Sequence, residues 1–495
     1  MTEAVTQIVS RNWRVEQADS KHALQLHLYS ADGSIISFTD HQAQVAQVVK
    51  DSNGNIVFLE ETQSNYNVLM FLEDGNWRVR YLVKTQGDAL NFATRPAETE
   101  TLTAKELARP SLQTPEGFVG MDHDGLQVDG QPYRVTGINY YPQNTPWDKF
   151  WPGYNPAVID HDFSLVQSLG LNSLRIFIPF EQFGGAKVAP VMLDHLSDLL
   201  SRANSHKLKV ILTLFDFWTD YNLLLWPAAD RQLEALLTRF RDNPAILAWD
   251  LKNEPDLDYK AAGRERVNGW LSHVAYLARG YDPHHLLTIG WSNPLAAQSL
   301  PEIVDFVSFH YFAPVTSFPQ QYQALKEAVP AKPRLLTEFG LPTWNSFIFP
   351  NGHSEPEQAE YYADILSSLR NVDSQGYLAW TLYDFNSVPS GVAGGLPWQT
   401  GPQKEMGIVR ADGKFKPAAR LLAPQANLEV QRIPDWARFL KPFWLSIISL
   451  LFLAGWLLYK GRSRWLRVLN ALVYTIKQIS LSRRIVSMNK KKEKG

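Results

Sequence analysis

The sequence contains no cysteine. That excludes disulfides, thiolate nucleophiles and cysteine-based zinc sites together. It also has almost no charge of either sign in excess: 48 basic against 50 acidic residues leave a net charge of -2. Nothing in that balance draws the chain to nucleic acid or to acidic partners. No Gly-rich phosphate loop or dinucleotide turn follows a strand-like run, and no His-x-x-x-His helix offers a metal face. No cofactor and no metal are implied. Met1 to Ser20 lacks both a basic start and an apolar core, so no signal peptide is visible there. What the chain does have is 45% hydrophobic residues, enough for a folded chain of two or three domains. It also has 16 Trp and 19 Tyr, a supply that suits sugar-binding clefts as well as large cores.

Three regions are expected. Residues 1–95 read as short, partly alternating strands. "ALQLHLYS", "SIISFTD", "NIVFLEE", "NVLMFLE" and "WRVRYLVK" are separated by turn residues and suggest a small accessory β-sandwich. Residues 96–115 are polar and proline-containing, a linker. From 116 to 425 the rhythm changes to strand, helix, strand. Eight apolar runs recur: "YRVTGINYY", "SLRIFIPF", "KVILTLFDF", "AILAWDLKNEP", "LLTIGWS", "DFVSFHYF", "RLLTEFG" and "GYLAWTLYDF". Helical stretches at 157–169, 190–206, 229–241, 261–279 and 355–372 lie between them. Eightfold alternation of this kind points to an α/β fold, a (β/α)₈ TIM barrel.

In that fold the active site lies at the C-terminal ends of the strands. Polar and aromatic residues there are candidates for function. They are Asn139 and Tyr140 after strand one, Arg175 in strand two, and Asp216 with Trp218 after strand three. Asn253 and Glu254 end strand four, and Trp291 ends strand five. His310 and Tyr311 end strand six, Glu338 ends strand seven, and Trp380 lies on strand eight. Paired carboxylates on facing strand ends are what glycosidic cleavage needs, one protonated to release the leaving oxygen and one ionised to attack.

The residues at these ends match a known pattern. "WDLKNEPD" (249–256) resembles the strand-four signature of glycoside hydrolase clan A, and "LLTEFG" (335–340) resembles its strand-seven nucleophile signature. "SLRIFI" with Arg175 and "LAWTLYDF" with Trp380 resemble the strand-two arginine and strand-eight tryptophan of family 5, the cellulase and mannanase family. The resemblance implies Glu254 as general acid/base and Glu338 as nucleophile. It implies Asn253 on the sugar 2-hydroxyl, Arg175 holding Glu338 ionised, and Trp380 as the floor where the bond breaks. A retaining hydrolase of a β-linked glycan follows from it, with a transglycosylase and a non-catalytic glycan-binding protein as alternatives. Two departures stand out. The family often has a Tyr two places after the strand-six His, where this chain has Phe312, so either Tyr311 takes over or the nucleophile lacks that contact. Strand three often ends near a His, where this chain has Asp216. Trp147, Trp151, Trp218, Trp291 and Trp398 are expected sugar platforms or packing residues.

The tail differs again. Pro442 to Tyr459 is 18 residues without a charge, and with Phe439 and Leu440 it reads as a transmembrane helix at 439–459 flanked by interfacial aromatics. Residues 464–495 read as a basic amphipathic segment on anionic lipid. Lys460, Arg462, Arg464 and Arg467 after the span put the C-terminus in the cytoplasm and the barrel outside, as a single-pass membrane protein. The expected partners are thus a β-linked glycan and membrane lipid, and no nucleic acid. The absence of a visible export signal leaves open an earlier start, or a tail-anchored barrel facing the cytoplasm.

Overall fold

A computed structural model of the chain describes seven strands within residues 13–83, and then residues 114–122, 125–221, 226–344, 353–430, 446–462 and 470–477. It divides into two compact units, Met1–Gln431 and Arg432–Gly495.

The N-terminal strands are β1 (Trp13–Ser20), β2 (Ala23–Ser30), β3 (Ile35–His41), β4 (Val45–Lys50), β5 (Ile56–Glu61), β6 (Tyr66–Glu73) and β7 (Asn76–Val83). Each pairs antiparallel with the next, giving one seven-stranded sheet in chain order. The expected sandwich needs two sheets and the described strands form one: only two to five residues separate each strand from the next, and so short a separation favours pairing with the immediate neighbour. The expected linker lies outside the described residues up to residue 113.

A small sheet of β8 (Val119–Asp122), β9 (Gly125–Val128) and β10 (Gln131–Pro132) precedes the barrel. The barrel itself is β11 (Val135–Asn139), β12 (Ser173–Pro179), β13 (Lys209–Asp216), β14 (Ile246–Asn253), β15 (Leu286–Trp291), β16 (Val307–Tyr311), β17 (Arg334–Phe339) and β18 (Ser374–Ala379). These eight strands close into a parallel ring in sequence order, a (β/α)₈ TIM barrel; seven fall within an apolar run, and β18 begins two residues before the eighth. The helices that return the chain include α1 (Pro156–Ser168), α2 (Pro190–Ser205), α3 (Trp226–Phe240), α4 (Arg264–Tyr281), α5 (Phe318–Ala328) and α6 (Glu355–Arg370). Their starts are written locally. Asn155 accepts from the Ala157 and Val158 amides ahead of Pro156, and Ser354 forms a capping box with Glu357.

The barrel interior is divided in two. At the N-terminal end it is apolar: Val119 and Leu126 of the small sheet pack with Val135, Ile211, Leu335 and Leu378 as one buried cluster. Closing that end with hydrocarbon stabilises the ring, at roughly 1.5–3 kcal/mol for each fully buried large side chain. The C-terminal end carries buried Asn139, Arg175, Asp250, His310 and Glu338 instead. Polar groups in such a place must be partnered, and their partners make the site described below.

In the second unit, residues 446–462 and 470–477 are helical. Among the described residues no helix is long and apolar enough to cross a membrane. The expected span begins at residue 439, outside the described residues. From 446 to 459 the helix is free of charge, which is about 21 Å of helix against about 30 Å of hydrocarbon. The described helix alone therefore does not carry the expected span. Its apolar side chains stand in solvent: Leu450, Phe452, Trp456 and Leu458 are all at least half exposed.

Candidate active site

Asp250 is the fixed point from which the site is built. It interrupts the apolar run of β14 and is wholly buried. Its Oδ2 accepts from Arg175 Nε (3.0 Å), Arg175 Nη2 (2.7 Å) and Thr213 Oγ1 (2.9 Å), and its Oδ1 from the Gly290 amide (2.8 Å). Four neighbouring strands, β12 to β15, are thereby tied to one carboxylate. Gly290 is required for this closeness: a Cβ there would stand 2.7 Å from Arg175 Nη2 and 3.0 Å from Asp250 Oδ2.

Arg175, also fully buried, spends its remaining donors upward. Nη1 donates to Glu338 Oε1 and to Asn139 Oδ1, and Nη2 to Asn253 Oδ1 at 2.8 Å. The planar fork of a guanidinium suits this, because it presents several donors at fixed angles. Glu338 is thus held from below by an ion pair, near the end of β17.

Glu254 comes from the other side. It follows β14 directly, and its amide donates to the Gly290 carbonyl at 2.6 Å. Its backbone is left-handed (φ 45°, ψ 50°), a conformation costly for a non-glycine residue and common at functional sites. Pro255 then starts a short turn of 3₁₀ helix. His310 links the two acids: its Nδ1 lies 2.9 Å from Glu254 Oε1 and its Nε2 3.6 Å from Glu338 Oε1. Donor atoms of Glu254, His310 and Glu338 all lie within 4.8 Å of one another. Among the described residues these three could also hold a cation; glycosidic cleavage uses the same atoms without one.

The two carboxyls differ in surroundings. Burial pushes Glu338 up from the ordinary glutamate value, aided by the charge of Glu254, and the opposing pull of His310 and Arg175 does not cancel it. Burial also works on Glu254, but the His310 hydrogen bond and the charges of His310, Arg175 and Lys252 outweigh it and hold that carboxyl low. The pair titrates as a unit.

One prediction follows from the raised Glu338. With Glu338 as the expected nucleophile, the kcat/KM of an activated aryl glycoside, whose leaving group needs no proton, follows the Glu338 carboxylate. As pH falls through the folded-state value the carboxylate is protonated and the rate drops. The midpoint of that acid limb is expected above 4.5, the ordinary glutamate value. A limb centred at or below it would show the Arg175 ion pair outweighing burial.

The structure brings together Glu254, Glu338, Arg175, Asn253 and His310. Trp380 stands beside them, edge-on to Tyr141 (6.4 Å) and Phe177 (5.9 Å). Four expected sugar contacts are corrected. Asn139 is wholly buried and its amide donates to the Thr337 and Ala379 carbonyls, so it positions Arg175 and not a sugar. The Tyr311 hydroxyl donates to the Pro314 carbonyl and meets Ser317 Oγ, so it does not replace the missing tyrosine on the nucleophile. Trp218 is buried against Phe180 and Trp270, and Trp291 is buried with Tyr259 nearby. Trp147 and Trp151 are likewise core residues, whereas Trp398 is exposed. Sequence reasoning missed Asp250 and Tyr141. A lone acid inside an apolar strand was an available signal for the first. The second gave none beyond its place after β11.

The family described as Cellulase (glycosyl hydrolase family 5) matches residues 126–387, more than half of the chain and nearly all of the barrel. The chain belongs to glycosyl hydrolase family 5. Among its family 5 relatives, the probable mannan endo-1,4-beta-mannosidase F of Aspergillus flavus is 25% identical over 207 residues, 34% of this chain and 43% of that protein. The mannan endo-1,4-beta-mannosidase 1 of Oryza sativa subsp. japonica is 25% identical over 345 residues, 54% of this chain and 78% of that protein. This chain thus spans less than half the length of the Aspergillus relative. Among solved structures, the exo-beta-1,4-mannosidase Op5Man5 from Opitutaceae bacterium strain TAV5 aligns with a TM-score of 0.50 at 20% identity, covering 64% of this chain and 62% of that one. A β-glucuronidase from Ruminococcus gnavus aligns with the same TM-score at 15% identity, covering 84% and 67%. At these identities the structural likeness speaks for the fold alone.

Proposed function

We propose that the chain is a retaining β-glycosidase, hydrolysing a β-linked glycan by double displacement with Glu338 as nucleophile and Glu254 as general acid/base. The observation that carries this reading is the separation of the two carboxyls. One oxygen of Glu254 and one of Glu338 lie within 4.8 Å of each other, which is closer to the separation for direct attack (carboxyls about 5–5.5 Å apart) than to that of an inverting enzyme (about 6.5–9.5 Å). In the first step Glu338 attacks the anomeric carbon while Glu254 gives its proton to the departing oxygen. In the second, Glu254 takes a proton from water as that water displaces Glu338. Asn253, oriented by Arg175, is placed to hold the sugar 2-hydroxyl, a contact that strengthens as positive charge grows at the anomeric carbon.

The mannan-cleaving names of the relatives make β-mannan the first substrate to try, with β-glucans beside it. Following fresh product by proton NMR tests the mechanism. The β-anomer is expected first, with the α-anomer appearing only by mutarotation. The α-anomer first would overturn retention, and no cleavage of any β-linked glycan would overturn the hydrolase reading.

The second unit supports a setting for this activity, a lipid membrane with the barrel on its outer side. Leu450, Phe452, Trp456 and Leu458 offer exposed apolar surface, with Lys460 over the Trp456 ring, and basic residues from Lys460 onward complement anionic headgroups. Full-length protein is expected in the membrane fraction, and a chain ending at Gln431 in the soluble one. Equal partitioning of the two would remove the anchor from the proposal.

A further inference from the structure

β13 ends in an unusual way. Phe215 (φ 51°) and Phe217 (φ 62°) are both left-handed, and Asp216 stands between them. Bulky aromatic residues rarely adopt such backbone. Where they do, the surroundings impose it, most often beside a site that needs one side chain turned to an unusual place. Here that side chain is a carboxylate at the catalytic rim of the barrel.

Asp216 is buried, and its one side-chain hydrogen-bond partner among the described residues is the Tyr141 hydroxyl, 3.4 Å from Oδ2. Tyr141 lies flat on Phe177 (5.2 Å) and edge-on to Trp380 (6.4 Å), and it feels the charges of Glu338 and Arg175. Tyr141 therefore links Asp216 to Trp380 and to the charged cluster around Arg175 and Glu338. Burial pushes its carboxyl up to about 6, against the charges of Lys252 on β14 and Arg175 on β12 and the hydrogen bonds of Tyr141 and the Phe217 amide. Double displacement has no use for a third carboxyl. The fold gains little from it either, since it makes no ion pair within hydrogen-bonding distance, and desolvating a charge is costly.

A carboxylate has room for about four hydrogen bonds, so Asp216 keeps capacity for a donor arriving with the ligand. A sugar hydroxyl is such a donor. A sugar carboxylate is not: it would meet Asp216, Glu254 and Glu338, while the donors of Arg175 already go to Asp250, Glu338, Asn139 and Asn253. We infer that Asp216 is a further substrate contact, accepting a hydrogen bond from a hydroxyl of the sugar above Trp380 and selecting a neutral pyranose against a uronate. The inference rests on the glycosidase reading above.

Calorimetric titration of the full-length Glu338→Gln protein with neutral manno- and cello-oligosaccharides, and with their uronate-terminated counterparts, tests it without turnover. Adding Asp216→Asn is expected to weaken neutral ligands about tenfold or more, the size of a hydrogen bond to a charged group. The same change is expected to strengthen the uronate ligands, which a merely structural role would not do. Asp216→Ser is measured in parallel, with thermal melts to establish that each variant folds. Equal affinities with and without Asp216, in a protein that binds neutral oligosaccharides, overturn this inference alone. Failure of the Glu338→Gln protein to bind any oligosaccharide overturns this inference, and hydrolysis assays of the unaltered protein show separately whether the glycosidase reading stands.

Discussion

Glu338→Ala is expected to lower kcat on the best glycan substrate by on the order of 10⁵, as loss of a covalent nucleophile does elsewhere. The distinguishing result is chemical. Removing the side chain leaves a small space beneath the anomeric carbon, open to azide or formate. Such an anion attacks the face opposite the leaving group in a single step, so rescue by azide is expected to give the α-glycosyl azide from a β-substrate. Glu254→Ala with an activated substrate behaves differently. The glycosyl-Glu338 ester still forms, and azide then displaces Glu338 from the opposite face, giving the β-azide. Mass and NMR analysis of the two products assigns the roles independently of rate. The same azide anomer from both variants would sink the assignment, and unchanged kcat in Glu338→Ala would remove Glu338 from the chemistry.

The second large effect is on stability. Arg175→Ala is expected to destabilise the barrel by about 3–5 kcal/mol, because Asp250 and Glu338 are left buried without their counter-charge. For a unit of this size that corresponds to a fall in Tm on the order of 10 °C. Arg175→Lys should recover only part of it, since one ammonium cannot reach Asp250, Glu338, Asn139 and Asn253 as the forked guanidinium does. Thermal melts of the three proteins at one pH give the comparison. A Tm for Arg175→Ala within about 2 °C of the parent would mean that the buried cluster contributes no net stability.

The barrel was legible because each strand is an apolar run buried on both faces, bounded by turn residues. Such a run needs no partner to be recognised. Glu254 and Glu338 were legible for a related reason: each is an acid at the end of a largely apolar run, where the barrel opens to its rim. Side-chain direction was not legible. Whether residue 310 or 311 faces the cleft depends on strand parity, and the β16–β17 pairing shifts register between Phe309 and His310. The shift leaves His310 against both acids and sends the Tyr311 hydroxyl to Pro314 and Ser317. The tryptophans failed for another reason. Composition counts aromatic rings but does not say which stack on neighbours, and Trp218 is covered by Phe180 and Trp270. In the N-terminal region five of the seven strands could be read, but the number of sheets depends on pairing between strands, which no local pattern encodes.

The two glutamates proposed for catalysis are unequally tied to the barrel. Glu338 is bound into the Arg175–Asp250 cluster that joins four strands, while Glu254 is half-buried and, among the described residues, has His310 as its one side-chain hydrogen-bond partner. Random mutation will feel that asymmetry. A lineage drifting from cleavage towards mere attachment to sugars gives up one hydrogen bond to buried His310 when it discards Glu254, whereas discarding Arg175 leaves Asp250 and Glu338 buried without their counter-charge. A lectin descended from this scaffold should therefore have lost Glu254 first and still carry the arginine of an enzyme it no longer is.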